Sequence, residues 1–345
     1  MMAFRPGAIR KFQRELLTWF DIHARDLPWR RSADPYHIWI SEIMLQQTRV
    51  NAVLDHYARF LTRFPSVNAL ALAKEPDVLA AWSGLGYYRR AKLMHKAAQV
   101  VVAEHHGILP RTAAELRTLP GIGEYTSSAI ASIAFGEPVA VVDGNVERVL
   151  LRIFAEDAKP TAPAAGAKRC RDRATGLLDA RRPGDFNQAM MELGATVCLP
   201  QRPLCLHCPV QSFCATRGEH RVAPRKKMRS QQIAYALLRR TRSGATQVLL
   251  EQRPPSASLM PGMWELPEVA MQESDESRVE ITLRHAITVT NYRVRVLAFS
   301  EEEAHCSTRN YPRKWARGSE LASLPLTGLA RKVLQRLQIM PNEVR

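Results

Sequence analysis

The chain has 345 residues, 46% of them apolar, and its 49 Lys and Arg exceed its 33 Asp and Glu by 16. That length suits two domains with cores of their own, and the composition excludes global disorder. So large a positive excess suits a polyanionic partner such as nucleic acid, the alternative being a basic protein that is merely soluble.

From the N-terminus, MMAFRPGAIRKFQREL lacks a secretory apolar segment, and no apolar run nears the ~20 residues that span a bilayer, so a bacterial cytoplasmic setting is expected. Phe12, Leu16, Trp19 and Phe20 fit an amphipathic helix. Asp34-Pro35 supplies an N-cap and a first-turn proline for a helix through Ile38, Trp39, Ile43 and Leu45. Glu42 shares a face with Ile38 and Leu45. Burial there would raise its pKa and make it a proton donor near neutral pH, the alternative being a partly exposed helix residue. Val50, Val53, Leu54 and Tyr57 mark the next helix. WSGLGYYRRAK (82–92) sets two tyrosines and two arginines beside a glycine turn, a combination that stacks on bases or packs on a neighbouring helix.

Thr112-x-x-Glu115 has the form of a capping box. In LPGIGEYTSSAI (119–130), Gly121 and Gly123 allow a tight turn and close approach of backbone N–H groups to an anion. With Leu116, Leu119 and Ile122 packing beneath, the stretch reads as a helix-hairpin-helix that grips phosphate without reading sequence, or as a plain turn. Asp143 in AVVDGNVERVL stands where an apolar run meets a helix start, as an N-cap or as a carboxylate with chemistry of its own. Up to about residue 216 the chain is expected to be all-α.

Cys198, Cys205, Cys208 and Cys214 fall within seventeen residues as C-x6-C-x2-C-x5-C. This spacing favours an iron–sulfur cluster over zinc, which more often uses two close pairs. Residues 217–230 carry six Lys or Arg and read as a basic linker. Beyond it, IAYALLRR and QVLLEQR form a predicted hairpin turning at Ser243-Gly244, YRVRVLAFS alternates as a strand, and LTGLARKVLQRLQ is a predicted helix. A small α/β domain over 231–345 follows.

Taken in order, LPWR (27–30), SEIMLQQTRV (41–50), GLGYYRRA (84–91), LPGIGEYT (119–126), VDGNVERVL (142–150), FNQAMMELGA (186–195) and the four-cysteine loop resemble the MutY family of adenine DNA glycosylases, within the endonuclease III superfamily. The resemblance implies an all-α helix-hairpin-helix glycosylase domain over 1–216. QVLLEQRPPSASLMPGMWELPEV (247–269) more weakly resembles the family's Nudix-like domain for 8-oxoguanine recognition. The implied activity is removal of adenine opposite 8-oxoguanine or guanine in duplex DNA, by a monomer that flips the base from the stack. By resemblance, Glu42 protonates the adenine, Asp143 stabilises the oxocarbenium-like sugar, and Tyr125 lines the site. Trp29, Arg30, Leu45 and Gln188 surround the base, while Gln47, Thr48 and Tyr87 fill the gap or meet the opposing lesion. Gly121 and Gly123 hold phosphate with a monovalent cation at the hairpin, and the four cysteines hold a 4Fe–4S cluster that takes no part in hydrolysis.

Two departures qualify the resemblance. The family's H-x-F-S-H segment is replaced here by HAITV (285–289), leaving Thr288 as the hydroxyl for the lesion, and the acidic Nudix hydrolase box is missing. The rival implied by the superfamily is an oxidised-pyrimidine glycosylase with lyase activity. It needs a lysine amine two residues after the second hairpin glycine, where this chain has Tyr125. A non-catalytic DNA-binding iron–sulfur protein is the rival from another class.

Overall fold

Side-chain caps open the helices that start at Pro35, Ala113 and Gly144, and a first-turn proline stands in those that start at Pro6, Pro35, Glu75 and Pro183. The computed structural model describes residues 5–155, 163–218, 228–270, 273–287, 290–305 and 307–340. Its helices run over Pro6–His23 (α1), Pro35–Leu45 (α2), Val50–Arg63 (α3), Val67–Leu72 (α4), Glu75–Trp82 (α5), Arg89–Glu104 (α6), Ala113–Leu116 (α7), Glu124–Phe135 (α8), Gly144–Ile153 (α9), Pro163–Leu177 (α10) and Pro183–Thr196 (α11). Asp34 caps α2 by accepting the Tyr36 N–H at 2.8 Å, with Pro35 at the position whose missing N–H costs nothing. Thr112 and Glu115 form the reciprocal capping box of α7. Among the described residues before 228 there is no strand.

The chain forms two compact units, Met1–Tyr57 with Ser66–Asn68 and Lys96–Pro224, and Ala58–Pro65 with Ala69–His95 and Arg225–Arg345. The first is built on Phe12, Leu16 and Phe20 of α1, Val146, Val149 and Leu150 of α9, and Phe186, Met190 and Leu193 of α11. Each such side chain contributes roughly 1.5–3 kcal/mol when fully buried. Two glycines of α11 let other helices come close. A Cβ on Gly184 would stand 2.7 Å from the Ser132 carbonyl of α8, and one on Gly194 would stand 2.7 Å from the Asn145 Cβ of α9. The helices α2, α8, α9 and α11 thereby converge, and the candidate site lies on them.

In the second unit, a seven-stranded mixed sheet comprises Arg229–Arg242 (β1), Ala245–Gln252 (β2), Trp264–Glu265 (β3), Glu268–Val269 (β4), Val279–Ile287 (β5), Thr290–Phe299 (β6) and Arg313–Arg317 (β7). The long β1 changes partners along its length, pairing in parallel with β6 from Arg229 to Leu238 and antiparallel with β2 from Arg239 to Arg242. The β1–β2 hairpin turns at Ser243 (φ 53°) and Gly244 (φ 71°), both left-handed as a primed two-residue turn requires. Apolar groups cover both faces of β1, which explains its unbroken apolar run. Tyr235 and Leu237 meet Leu329, Val333 and Leu334 of Gly328–Arg336 (α12), while Ala234, Ala236 and Leu238 meet Leu249, Val269 and Leu297. Thr288 and most of the expected linker 217–230 lie outside the described residues.

Candidate active site

The face of α2 that carries Glu42 is turned into the protein, between Ile38, Trp39 and Ile43, and Glu42 itself is only 6% exposed. An ionised carboxylate in such surroundings loses its hydration, so burial pushes the Glu42 pKa up to about 7. A hydrogen bond from Tyr125 opposes that rise, the negative charge of Asp143 reinforces it, and Arg30 opposes it. The Tyr125 hydroxyl, on the second residue of α8, donates to Glu42 Oε2 at 2.7 Å and lies 3.5 Å from the sulfur of Met191 on α11. Burial and the Glu42 carboxylate hold the Tyr125 phenol well above its ordinary range, so it is a donor and not a base.

Asp143 combines both expectations for it. As the N-cap of α9 it accepts the Asn145 and Val146 N–H groups on Oδ1 at 2.9 and 2.7 Å, and Asn145 Nδ2 donates to Oδ2 at 3.0 Å. A carboxylate bound this way at a helix N-terminus is fixed in orientation. Glu42, Tyr125 and Asp143 thus form one electrostatic group of a protonatable acid, a phenol donor and a positioned carboxylate.

Trp29 is buried in a short 3₁₀ turn after Leu27, edge-on to Tyr57 at 5.4 Å. Arg30 is not free. It donates to Glu192 Oε2 at 2.8 Å, Arg25 binds the other oxygen at 2.6 Å, and the guanidinium of Arg30 lies over Phe20 at 5.3 Å. Glu192, 1% exposed on α11, is therefore the residue that holds Arg30, whose charge is felt at Glu42. Its burial raises its pKa and the two arginines outweigh that, leaving it lowered. Sequence inspection missed Glu192, Met191 and Asn145. Glu192 lies four residues after Gln188 on one helix face, and that spacing was the available signal. Leu45 and Gln188 are half-buried.

At the rim, Gln47 is exposed with φ 55°, and Thr48 donates to the Gln46 carbonyl at 3.2 Å. In the second unit Tyr87 is 50% exposed with φ 48°. Such left-handed non-glycine residues cost about 1–3 kcal/mol and persist where their surroundings over-determine them. Along the hairpin, Gly121 (φ 75°) needs its glycine, while Gly123 has ordinary φ and is exposed at the N-cap of α8. A Cβ there would meet nothing within 4 Å. Glu124, next in line, would repel a phosphate, but Arg171 pairs with it at 3.1 Å.

None of the described cysteines is in a disulfide. The four clustered thiols feel one another electrostatically, and burial pushes Cys208 up to about 11. Arg152 donates to the Cys198 sulfur at 3.3 Å and the Arg217 N–H to the Cys214 sulfur at 3.4 Å. Among the described residues no three His, Cys, Asp or Glu stand close enough to hold a single metal ion. A cluster of several irons takes each thiolate on a different iron and spaces its ligands more widely. Four thiols with N–H donors aimed at two of them fit such a cluster chemically.

No helix among the described residues is long and apolar enough to cross a membrane. Residues 40–170 match the HhH-GPD superfamily base excision DNA repair protein family. A Mycolicibacterium smegmatis protein named adenine DNA glycosylase is 44% identical over 207 residues, covering 59% of this chain and 69% of that protein. Rat and human adenine DNA glycosylases are each 39% identical over 330 residues, covering 80% and 79% of this chain. The chain spans only 64% and 60% of their lengths. Among solved structures, a thermostable thymine-DNA glycosylase aligns with TM-score 0.56 and 29% identity over 61% of this chain and 96% of its own. An endonuclease III–DNA covalent intermediate aligns with TM-score 0.53 at 21% identity, over 62% of this chain and 98% of its own, a likeness of fold.

Proposed function

This chain belongs to the family of adenine DNA glycosylases, and from that premise we propose that it hydrolyses the N-glycosidic bond of adenine opposite 8-oxoguanine or guanine in duplex DNA. The observation that carries this is the pairing of a buried Glu42, its pKa raised to about 7, with the capped carboxylate of Asp143. Two carboxyl groups in unlike environments can divide acid and anion roles at one pH.

In this mechanism the adenine is flipped from the stack and stands against Trp29, Arg30, Leu45 and Gln188. Tyr125 and the Glu192-held Arg30 orient Glu42, whose proton passes to a ring nitrogen of the base. The C1′–N bond breaks, its electron pair leaves with the neutral adenine, and the developing sugar cation faces Asp143. Water adds to C1′ and its proton returns to Glu42. The phenol beside Glu42 forms no Schiff base, so the product is an abasic site and the enzyme is monofunctional.

The same proposal gives residues 1–216 to the glycosylase chemistry and 231–345 to a Nudix-like lesion-reading role. Gln47, Thr48 and Tyr87 contact the DNA, Thr288 the lesion, and Gly121 and Gly123 a phosphate with a monovalent cation beside them. Cys198, Cys205, Cys208 and Cys214 would hold a 4Fe–4S cluster, which when bound cross-links the loop. The protein acts as a monomer in the bacterial cytoplasm, on the nucleoid.

Single-turnover assays on duplexes with A opposite 8-oxoguanine test this. Free adenine should be released, and Glu42→Gln should slow release by roughly 10²–10⁴. Equal release from that variant, or none from the parent protein, would sink the hydrolase proposal. A borohydride-trapped covalent adduct would replace it with a lyase.

A further inference from the structure

The turn that presents Tyr87 is held by the C-terminal sheet domain. From Gly84 to Tyr87 the backbone is left-handed at Gly84 (φ 108°), Gly86 (φ 69°) and Tyr87 (φ 48°). Local contacts brace one side of it. Trp82 Nε1 donates to the Gly86 carbonyl at 3.0 Å, and Arg90 lies over the rings of Trp82 and Tyr87 at 5.3 and 5.5 Å. Ser83 and Tyr88, the two residues that bound the turn, are both buried and both reach the same distant atom. Ser83 Oγ donates to the Leu326 carbonyl at 2.8 Å and the Tyr88 hydroxyl donates to it at 3.1 Å. Arg331 of α12, also buried, donates through Nε to Ser83 Oγ at 2.9 Å. The Leu326 carbonyl is itself fixed, because the flanking backbone bonds Trp264 on both sides and Thr327 caps α12.

We propose that Arg331 is a positioning residue for Tyr87, acting through Ser83 to hold the turn in the strained conformation that offers the tyrosine ring to DNA. The proposal rests on the assignment of Tyr87 as a DNA contact. Physically, a half-exposed aromatic ring at positive φ relaxes to an ordinary conformation unless both ends of its turn are pinned. Here the pins are more than two hundred residues away in sequence, and buried hydrogen bonds to a charged group are costly to break. The domain proposed to read the lesion thereby also sets the turn that carries Tyr87, a proposed DNA contact.

The test measures duplex affinity and single-turnover adenine release for Arg331→Met, Arg331→Lys, Ser83→Ala, Tyr87→Ala and the double variant Arg331→Met/Tyr87→Ala, with hydrogen exchange over 83–90. Arg331→Met and Ser83→Ala should each weaken binding of the A:8-oxoguanine duplex roughly tenfold, speed exchange in the turn, and change the release rate of saturated complex little. Arg331→Lys should recover part of the affinity. Adding Arg331→Met to Tyr87→Ala should cost nothing further, because both act through one ring. Additive losses, or unchanged affinity and exchange in Arg331→Met and Ser83→Ala, would overturn the positioning role while leaving the glycosylase proposal intact. If Arg331→Met fails to fold, Ser83→Ala carries the same comparison. Unaltered affinity in Tyr87→Ala overturns the role by removing its premise, and an absence of adenine release from the parent protein marks failure of the function itself.

Discussion

At the scale of single residues, the protein strengthens one carboxyl group's hold on its proton by hiding it. In the unfolded chain Glu42 loses its proton near its ordinary value of 4.5, whereas the folded protein retains it to about 7. Between those values the unfolded state binds fewer protons, so stability falls as pH rises, and above 7 the loss is constant. Glu42→Gln keeps an acceptor for Tyr125 but carries no charge. It should raise the unfolding free energy at pH 8 by on the order of 3 kcal/mol at most, seen as a higher melting temperature, and give no gain near pH 4. If Glu42 is the acid, the rate in the parent protein should fall tenfold per pH unit above about 7, and a flat profile to pH 9 would contradict that role. The single-residue logic was visible in the sequence as a charged residue on an apolar helix face. The resemblance placed Tyr125 only in the lining of the site, and its role as hydrogen-bond donor to Glu42 was not legible, because the two are 83 positions apart.

At the scale of elements, the hairpin between α7 and α8 separates two uses of glycine. Gly121 is required by its positive φ, so Gly121→Ala should cost about 1–2 kcal/mol and lower the melting temperature. Gly123 has ordinary φ and open space beyond it, so Gly123→Ala should leave the melting temperature unchanged. If a phosphate approaches that N-terminus, the added methyl group should still weaken duplex binding. Equal behaviour of the two variants in melting and binding assays would show that the turn is structural only. Both glycines look alike as G-x-G, and only backbone geometry tells them apart. Elements with strong periodicity or caps, such as α2, α9 and the β1–β2 hairpin, were readable in advance. The two-residue strands β3 and β4 were not, since so short a segment has no period and is made a strand by its neighbour in the sheet.

At the scale of the whole molecule, the net charge of +16 predicts steep salt dependence. If about six phosphates are neutralised, duplex affinity should fall roughly 10³-fold between 50 and 200 mM salt, and a shallow slope in a titration would count against a backbone-dominated interface. The four-cysteine loop carries a second global prediction. Purified protein should contain about four irons and absorb visible light, as the 4Fe–4S reading requires. Cys208→Ser should lose both and melt at lower temperature, whereas a colourless zinc protein of full stability would reject the cluster.

The sequence by itself determined the helix caps, the all-α and sheet-bearing halves, the clustered cysteines and the two carboxylates, because these depend on local spacing or on motifs that survive as strings. Tertiary structure decided what those groups do to one another. It turned Glu42 from an exposed or buried alternative into a buried acid with a raised pKa, made Asp143 both cap and oriented carboxylate, and gave Arg30 a buried partner in Glu192. It also grouped Ala69–His95 with the C-terminal domain, where Arg331 reaches Ser83 across 248 positions. Desolvation and long-range hydrogen bonding depend on what packs around a group, and no local pattern encodes that neighbour.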